Sequence, residues 1–201
     1  VNVAYRTEVL REVGGFDQGA IGAEDVLLDS KIVRAGHRLF LDPSCTMPHR
    51  RRPAIIPMMK QIRNYGYVRR LAIDREPSLR SPTHRAVQMF PFFATIATLA
   101  LIYGAASGGA QWDLWFTLEG EWNLSRASFH FSLGATSFYF FVCILGAALG
   151  TSPHRSLSTV FASSITIPAA HLAYGWGMMK AEWGLLRGSV SIVAIDDKER
   201  S

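Results

Sequence analysis

Apolar and polar positions alternate along this chain with two different rhythms. Up to about residue 85 short apolar clusters are interrupted by charges; beyond it, long uncharged runs recur. In the first region Val9, Leu10 and Val13 mark one face of a short helix, which Gly14-Gly15 ends because glycine tolerates the positive φ of a helix C-terminus. A second helix follows in GAEDVLLDSKIVRAG, where Val26, Leu28, Ile32 and Val33 approximate one face and Gly36 closes the pattern. Arg38 to Pro43 reads as a short strand, and Ser44 to Met47 as a second extended piece. From Ile55 to Ile73 the pattern is a basic amphipathic helix, with Ile55, Met58, Met59, Ile62, Tyr65 and Ile73 at helical spacing. Lys60, Arg63, Arg69 and Arg70 take much of the rest, and such a face turns toward anionic head groups when the helix lies in a membrane interface; the alternative is an ordinary surface helix packed on the soluble part. DREPSLRSPT, residues 74–83, is a linker rich in turn residues.

The uncharged runs change the class of the protein. Residues 86–106 carry no charge and reach the roughly 20 residues that a helix needs to cross a bilayer core. Residues 127–150 hold only His130 as an ionisable group. The run 157–179 is weaker, interrupted by Ser158, Ser163, Ser164, Pro168 and His171, and is left open as a span or a helix packed at the interface. Trp112, Trp115 and Trp122, between the first two runs, suit an interfacial aromatic belt. The organisation expected is therefore a soluble part, residues 1–54; a basic juxtamembrane helix and linker, 55–85; a transmembrane region, 86–179; and a tail, 180–201.

The net charge of +5 is concentrated before the first apolar run, which by the positive-inside rule puts the N-terminal part in the cytoplasm and the Trp-rich loop outside. A basic run followed by a membrane span points to lipid rather than nucleic acid. Cys45 and Cys143 lie in dissimilar surroundings with no metal-binding spacing, so neither a disulfide nor a zinc site is expected.

The chemistry concentrates at Glu24-Asp25. Carboxylates at a helix start can satisfy free N–H groups and suit the positive end of its dipole. Held at a cleft, one can instead take a proton from an acceptor hydroxyl. His49 followed by Arg50, Arg51 and Arg52 has the makings of a phosphate pocket, since guanidinium forks match phosphate oxygens.

Taken in order, N-x-A-Y-R from Asn2, V-G-G-F-D from Val13, E-D, a helix, A-G-H-R-L and a His after a short strand resemble the C-terminal half of the catalytic domain of family 2 glycosyltransferases. The likeness is to the bacterial inner-membrane members of the succinoglycan type, and HLAYGWG, His171 to Gly177, is similar to their ends. The resemblance implies an α/β class: the C-terminal part of a GT-A domain, followed by an interfacial helix and two or three transmembrane helices. It places Asp25 at the catalytic base and Glu24 at its acidic neighbour. Tyr5, Arg6, His49 and Arg50 fall on the substrate side, with His49 able to complete a metal shell. It implies a divalent cofactor, Mg or Mn, held mostly by an N-terminal half with a D-x-D motif that would precede Val1, so the chain reads as a fragment. The reaction implied is inverting transfer from a nucleotide-sugar to a lipid-linked or growing glycan acceptor in the cytoplasmic membrane. The run Gln61-Ile62-Arg63-Asn64-Tyr65 lacks the Arg and Trp of the Q-x-x-R-W motif of processive members, which argues against processive synthesis. The rival reading is a non-enzymatic membrane protein whose basic domain binds lipid or an assembly partner.

Overall fold

The computed structural model describes residues 3–20, 22–44, 54–107, 124–149 and 156–189. Among the described residues six α-helices follow one another: α1 (Thr7–Glu12), α2 (Glu24–Arg34), α3 (Ile55–Arg75), α4 (Pro82–Ala106), α5 (Leu124–Leu149) and α6 (Leu157–Leu186), with a 3₁₀ turn at Pro77–Leu79. Among the described residues there is no strand, so the architecture is all-α and the expected α/β class is overturned. Arg38 to Asp42 is irregular and Pro43 begins a turn, and Phe40 and Leu41 are 87% and 95% exposed. A strand is stabilised by neighbours and a covered face. The described residues supply neither here, so the apolar run stays an open segment. The continuation from Cys45 to His49 lies outside the described residues.

The chain divides into two compact units, one comprising residues 1–88 with 173–201 and the other residues 89–172. The core of the first unit is helical: Leu27, Leu28 and Ile32 of α2, Leu71, Ala72 and Ile73 of α3, and Met178 and Ala181 of α6 are buried. The buried stripe of α2 thus runs through Leu27, and Val33, expected on it, is 54% exposed. In this unit α3 and α6 approach through glycines. A Cβ on Gly66 would strike the Tyr174 carbonyl, and one on Gly177 would strike the Arg63 carbonyl. Backbones meet this closely only where side chains are absent.

That contact corrects the reading of α3 as a helix with one lipid-facing basic side. Arg70 is buried, bonded through Nε to Glu182 of α6 and at 3.4 Å through Nη1 to Asp74. A guanidinium can be buried when carboxylates pair with it. Lys60 and Arg63 remain exposed, whereas Arg69 is half-buried.

In the second unit Tyr139 of α5 and His171 of α6 share a hydrogen bond of 2.8 Å, and Phe90 packs against both rings, tilted on Tyr139 and edge to face on His171. Cys143 is a buried free thiol. Two helices, α4 over Pro82–Ala106 and α5 over Arg126–Leu149, are long and apolar enough to cross a membrane. Only 11% and 17% of their most apolar windows is buried within the chain, unlike the core helices of a soluble protein.

Candidate functional site

The acidic pair opens α2, and the loop before it is held in place from α3. Arg75, the last residue of α3, donates from Nη1 to Asp17 Oδ2 and from Nη2 to the Gly19 carbonyl, each at 2.5 Å. Asp17 Oδ1 in turn accepts from the Gly19 N–H at 3.1 Å. Burial works to raise the Asp17 carboxyl, but the hydrogen bond and charge of Arg75 outweigh it and hold the group below its ordinary value. The loop then rests on α3 again at Gly22, where a Cβ would come within 3.1 Å of Val68 Cγ1. Gly22 has φ +83, and Ala23 after it has φ 57 and ψ 25. A left-handed alanine costs on the order of 1 kcal/mol or more, so the surrounding contacts enforce this bend.

The bend delivers Glu24 and Asp25 into the first turn of α2 with both side chains exposed. Neither is the N-cap: Ala23 occupies that position, and no side chain caps the helix. Asp25 Oδ1 accepts the neighbouring Val26 N–H at 2.8 Å. Its second oxygen has no hydrogen-bond partner among the described residues and faces solvent, so it can accept a proton from an incoming hydroxyl.

One turn further, Asp29 accepts a 3.0 Å hydrogen bond from the Tyr5 hydroxyl. Burial is the main reason that the Tyr5 phenol is pushed up to about 12, followed by the Asp29 bond and charge and the field of Asp25. Tyr5 also meets Phe16 edge to face, with ring centroids 6.2 Å apart. Two expected site residues, Tyr5 and Asp25, are thus brought to one end of α2 with Asp29 between them. Asp29 was not anticipated, although its place four residues after Asp25 puts both carboxylates on one helix face. Arg6 is exposed at the start of α1. His49 and Arg50 lie outside the described residues. Among the described residues no three His, Cys, Asp or Glu side chains converge, so these residues by themselves do not form a divalent-metal shell.

No family model matches the chain, and no solved structure matches it. Over 95 residues it is 30% identical to the succinoglycan biosynthesis protein ExoA of Rhizobium meliloti (strain 1021). The aligned stretch is 46% of this chain and 29% of that protein, so the chain spans under a third of the relative it matches. The two are distantly related.

Proposed function

We propose that the chain is part of a membrane-bound glycosyltransferase of polysaccharide biosynthesis, in which a nucleotide-sugar donates to the hydroxyl of a lipid-linked or growing glycan. The observation that carries this reading is the 95-residue similarity to a succinoglycan biosynthesis protein. The exposed carboxylates at the head of α2 support it, as do two helices apolar enough to keep the site at a membrane.

In this reading Asp25 takes the proton of the acceptor hydroxyl. The hydroxyl oxygen bonds to the anomeric carbon while the bond from that carbon to the nucleotide diphosphate breaks, and the configuration inverts. Asp29 and Tyr5 position the first two turns of α2. Arg75 and Asp17 hold the loop that presents them. A divalent metal remains part of the proposal as a group bound by residues other than those described.

The test is Asp25→Asn in the gene-encoded protein. Asn can still accept the Val26 N–H, so the local fold stays intact. General-base catalysis contributes about 10²- to 10⁴-fold, so sugar transfer falls by that order with donor binding unchanged. Near-normal transfer by the folded variant would remove Asp25 from the reaction and make Glu24 the next candidate.

A further inference from the structure

A shallow, solvent-open cleft of about 40 Å³ lies in the first unit, where the end of α3, the linker, the first two turns of α4 and the end of α6 meet. Its charged and polar lining is Arg70, Arg80, His84, Arg85, Gln88 and Glu182. Three guanidinium groups face one carboxylate, an excess of two positive charges with His84 neutral.

The internal bonds show which charges are spent. Glu182 binds Arg70 Nε and accepts from Gln88 Nε2 at 3.2 Å, and Asp74 adds a second carboxylate to Arg70. Arg70 is therefore neutralised and anchors the cleft floor. Arg80 and Arg85 are exposed, and the charge of Arg85 acts on the Glu182 carboxylate from beyond ion-pair distance. His84 is tied to the linker, with Nδ1 on the Ser81 hydroxyl at 2.9 Å and a further bond from its ring to the Leu79 backbone.

Position narrows the ligand. His84, Arg85 and Gln88 belong to the first two turns of α4, and after Arg85 that helix carries no charge to its end at Ala106. If α4 enters a bilayer, its first turns lie at the depth of phosphate head groups. Two exposed guanidinium forks beside a polar floor match the oxygens of a phosphate ester better than a carboxylate or a neutral polyol.

We propose that this cleft binds the phosphate group of an anionic phospholipid, held by Arg80 and Arg85 over the Arg70–Glu182 floor. The site does not depend on the glycosyltransferase reading. It differs from the exposed basic side of α3, where Lys60 and Arg63 lie outside the cleft lining.

The experiment is native mass spectrometry of the gene-encoded protein in detergent with short-chain phosphatidylglycerol or phosphatidylcholine. Each basic group at an anionic surface contributes on the order of 1 kcal/mol. The protein should thus retain phosphatidylglycerol about tenfold or more over phosphatidylcholine, and Arg80→Gln with Arg85→Gln should remove that preference. The pair Lys60→Gln with Arg63→Gln should leave it in place. Displacement by sodium phosphate would assign the site to the phosphate group in free form as well. Retention against sodium phosphate would assign it to the lipid. Equal retention of phosphatidylglycerol with and without Arg80 and Arg85, or an equal loss from the Lys60 and Arg63 pair, overturns the proposal. Arg80→Gln alone, at an exposed position, gives the same reading with about a threefold loss should the double variant not be recovered.

Discussion

Gly66 of α3 lies under the Tyr174 carbonyl of α6 with no room for a Cβ. The same crossing repeats in reverse at Gly177, which faces the Arg63 carbonyl. Overfilling a packed contact costs about 1–3 kcal/mol, and here the obstacle is backbone rather than a side chain that can rotate. Gly66→Ala and Gly177→Ala should each lower the thermal unfolding midpoint of the detergent-solubilised protein. Gly134→Ala in α5 is the control: nothing lies within 4 Å of its Cβ position, and alanine should add about 0.5–1 kcal/mol of helix stability. A neutral result at both crossing glycines would mean that the two helices do not meet at these carbonyls.

The buried guanidinium of Arg70 makes the first unit sensitive to acid. The Arg70 hydrogen bond is the main reason that the Glu182 carboxyl lies below its ordinary value of 4.5. A depressed carboxyl contributes stability that is present above the unfolded value and lost as pH falls through the folded one. Glu182→Gln should therefore be destabilising at pH 7, by about 1 kcal/mol or less, since the Glu182 side chain is 36% exposed and screened by solvent. The difference from the unaltered protein should narrow as pH falls from 4.5 through the lowered folded value. Unfolding midpoints measured along that fall check it; a gap that does not narrow in acid would assign the effect to packing instead of charge.

Local elements were legible in the sequence because their signals are local. The positive φ values of Gly14, Gly15 and Gly36 follow from helix-ending glycines, and the start of α6 at Leu157 follows from where the apolar pattern resumes. The strand from Arg38 failed because strand formation depends on partners that no periodicity reveals, and the described residues contain none. Arg70 was misplaced for a related reason: a basic residue on a helix face looks the same whether it meets a head group or a carboxylate 112 residues away. At the acidic pair, the sequence marks Asp25 and Tyr5 separately. Their convergence on Asp29 depends on how the first turns fold back toward α2, which spacing does not show.

That convergence is testable on its own. Tyr5→Phe removes the hydroxyl that donates to Asp29 and should cost about 1 kcal/mol of stability. A phenol pushed up to about 12 stays neutral well above the ordinary value of 10. Its stabilising contribution is thus fully present below pH 10 and lost as pH rises through 12. In an ultraviolet pH titration, the late-ionising absorbance should fall by one tyrosine in Tyr5→Phe. Loss of a component with an ordinary midpoint would detach Tyr5 from Asp29.

Orientation decides whether the head of α2 can meet a cytoplasmic sugar nucleotide at all. Up to the first turn of α4 the chain carries Arg50 to Arg52, Lys60, Arg63, Arg69, Arg70, Arg75, Arg80 and Arg85, whereas the segment between α4 and α5 carries Asp113, Glu119 and Glu121 and no Lys or Arg until Arg126. Arg70 and Arg75 are engaged by Glu182 and Asp17, so not every one of these charges is free to interact with lipid. Lys60, Arg63, Arg80 and Arg85 remain exposed, and the imbalance keeps its sign. The positive-inside rule then puts α1 to α3 in the cytoplasm and the Trp-rich segment on the far side. Alkaline phosphatase fused after Gly120, in a segment outside the described residues, should be active. The same reporter after Ser81 should be silent, and a fluorescent protein that matures only in the cytoplasm should give the opposite pair. If the phosphatase were active at Ser81 and silent at Gly120, Asp25 would face away from cytoplasmic nucleotide-sugars, and the proposed transfer reaction would lose its donor.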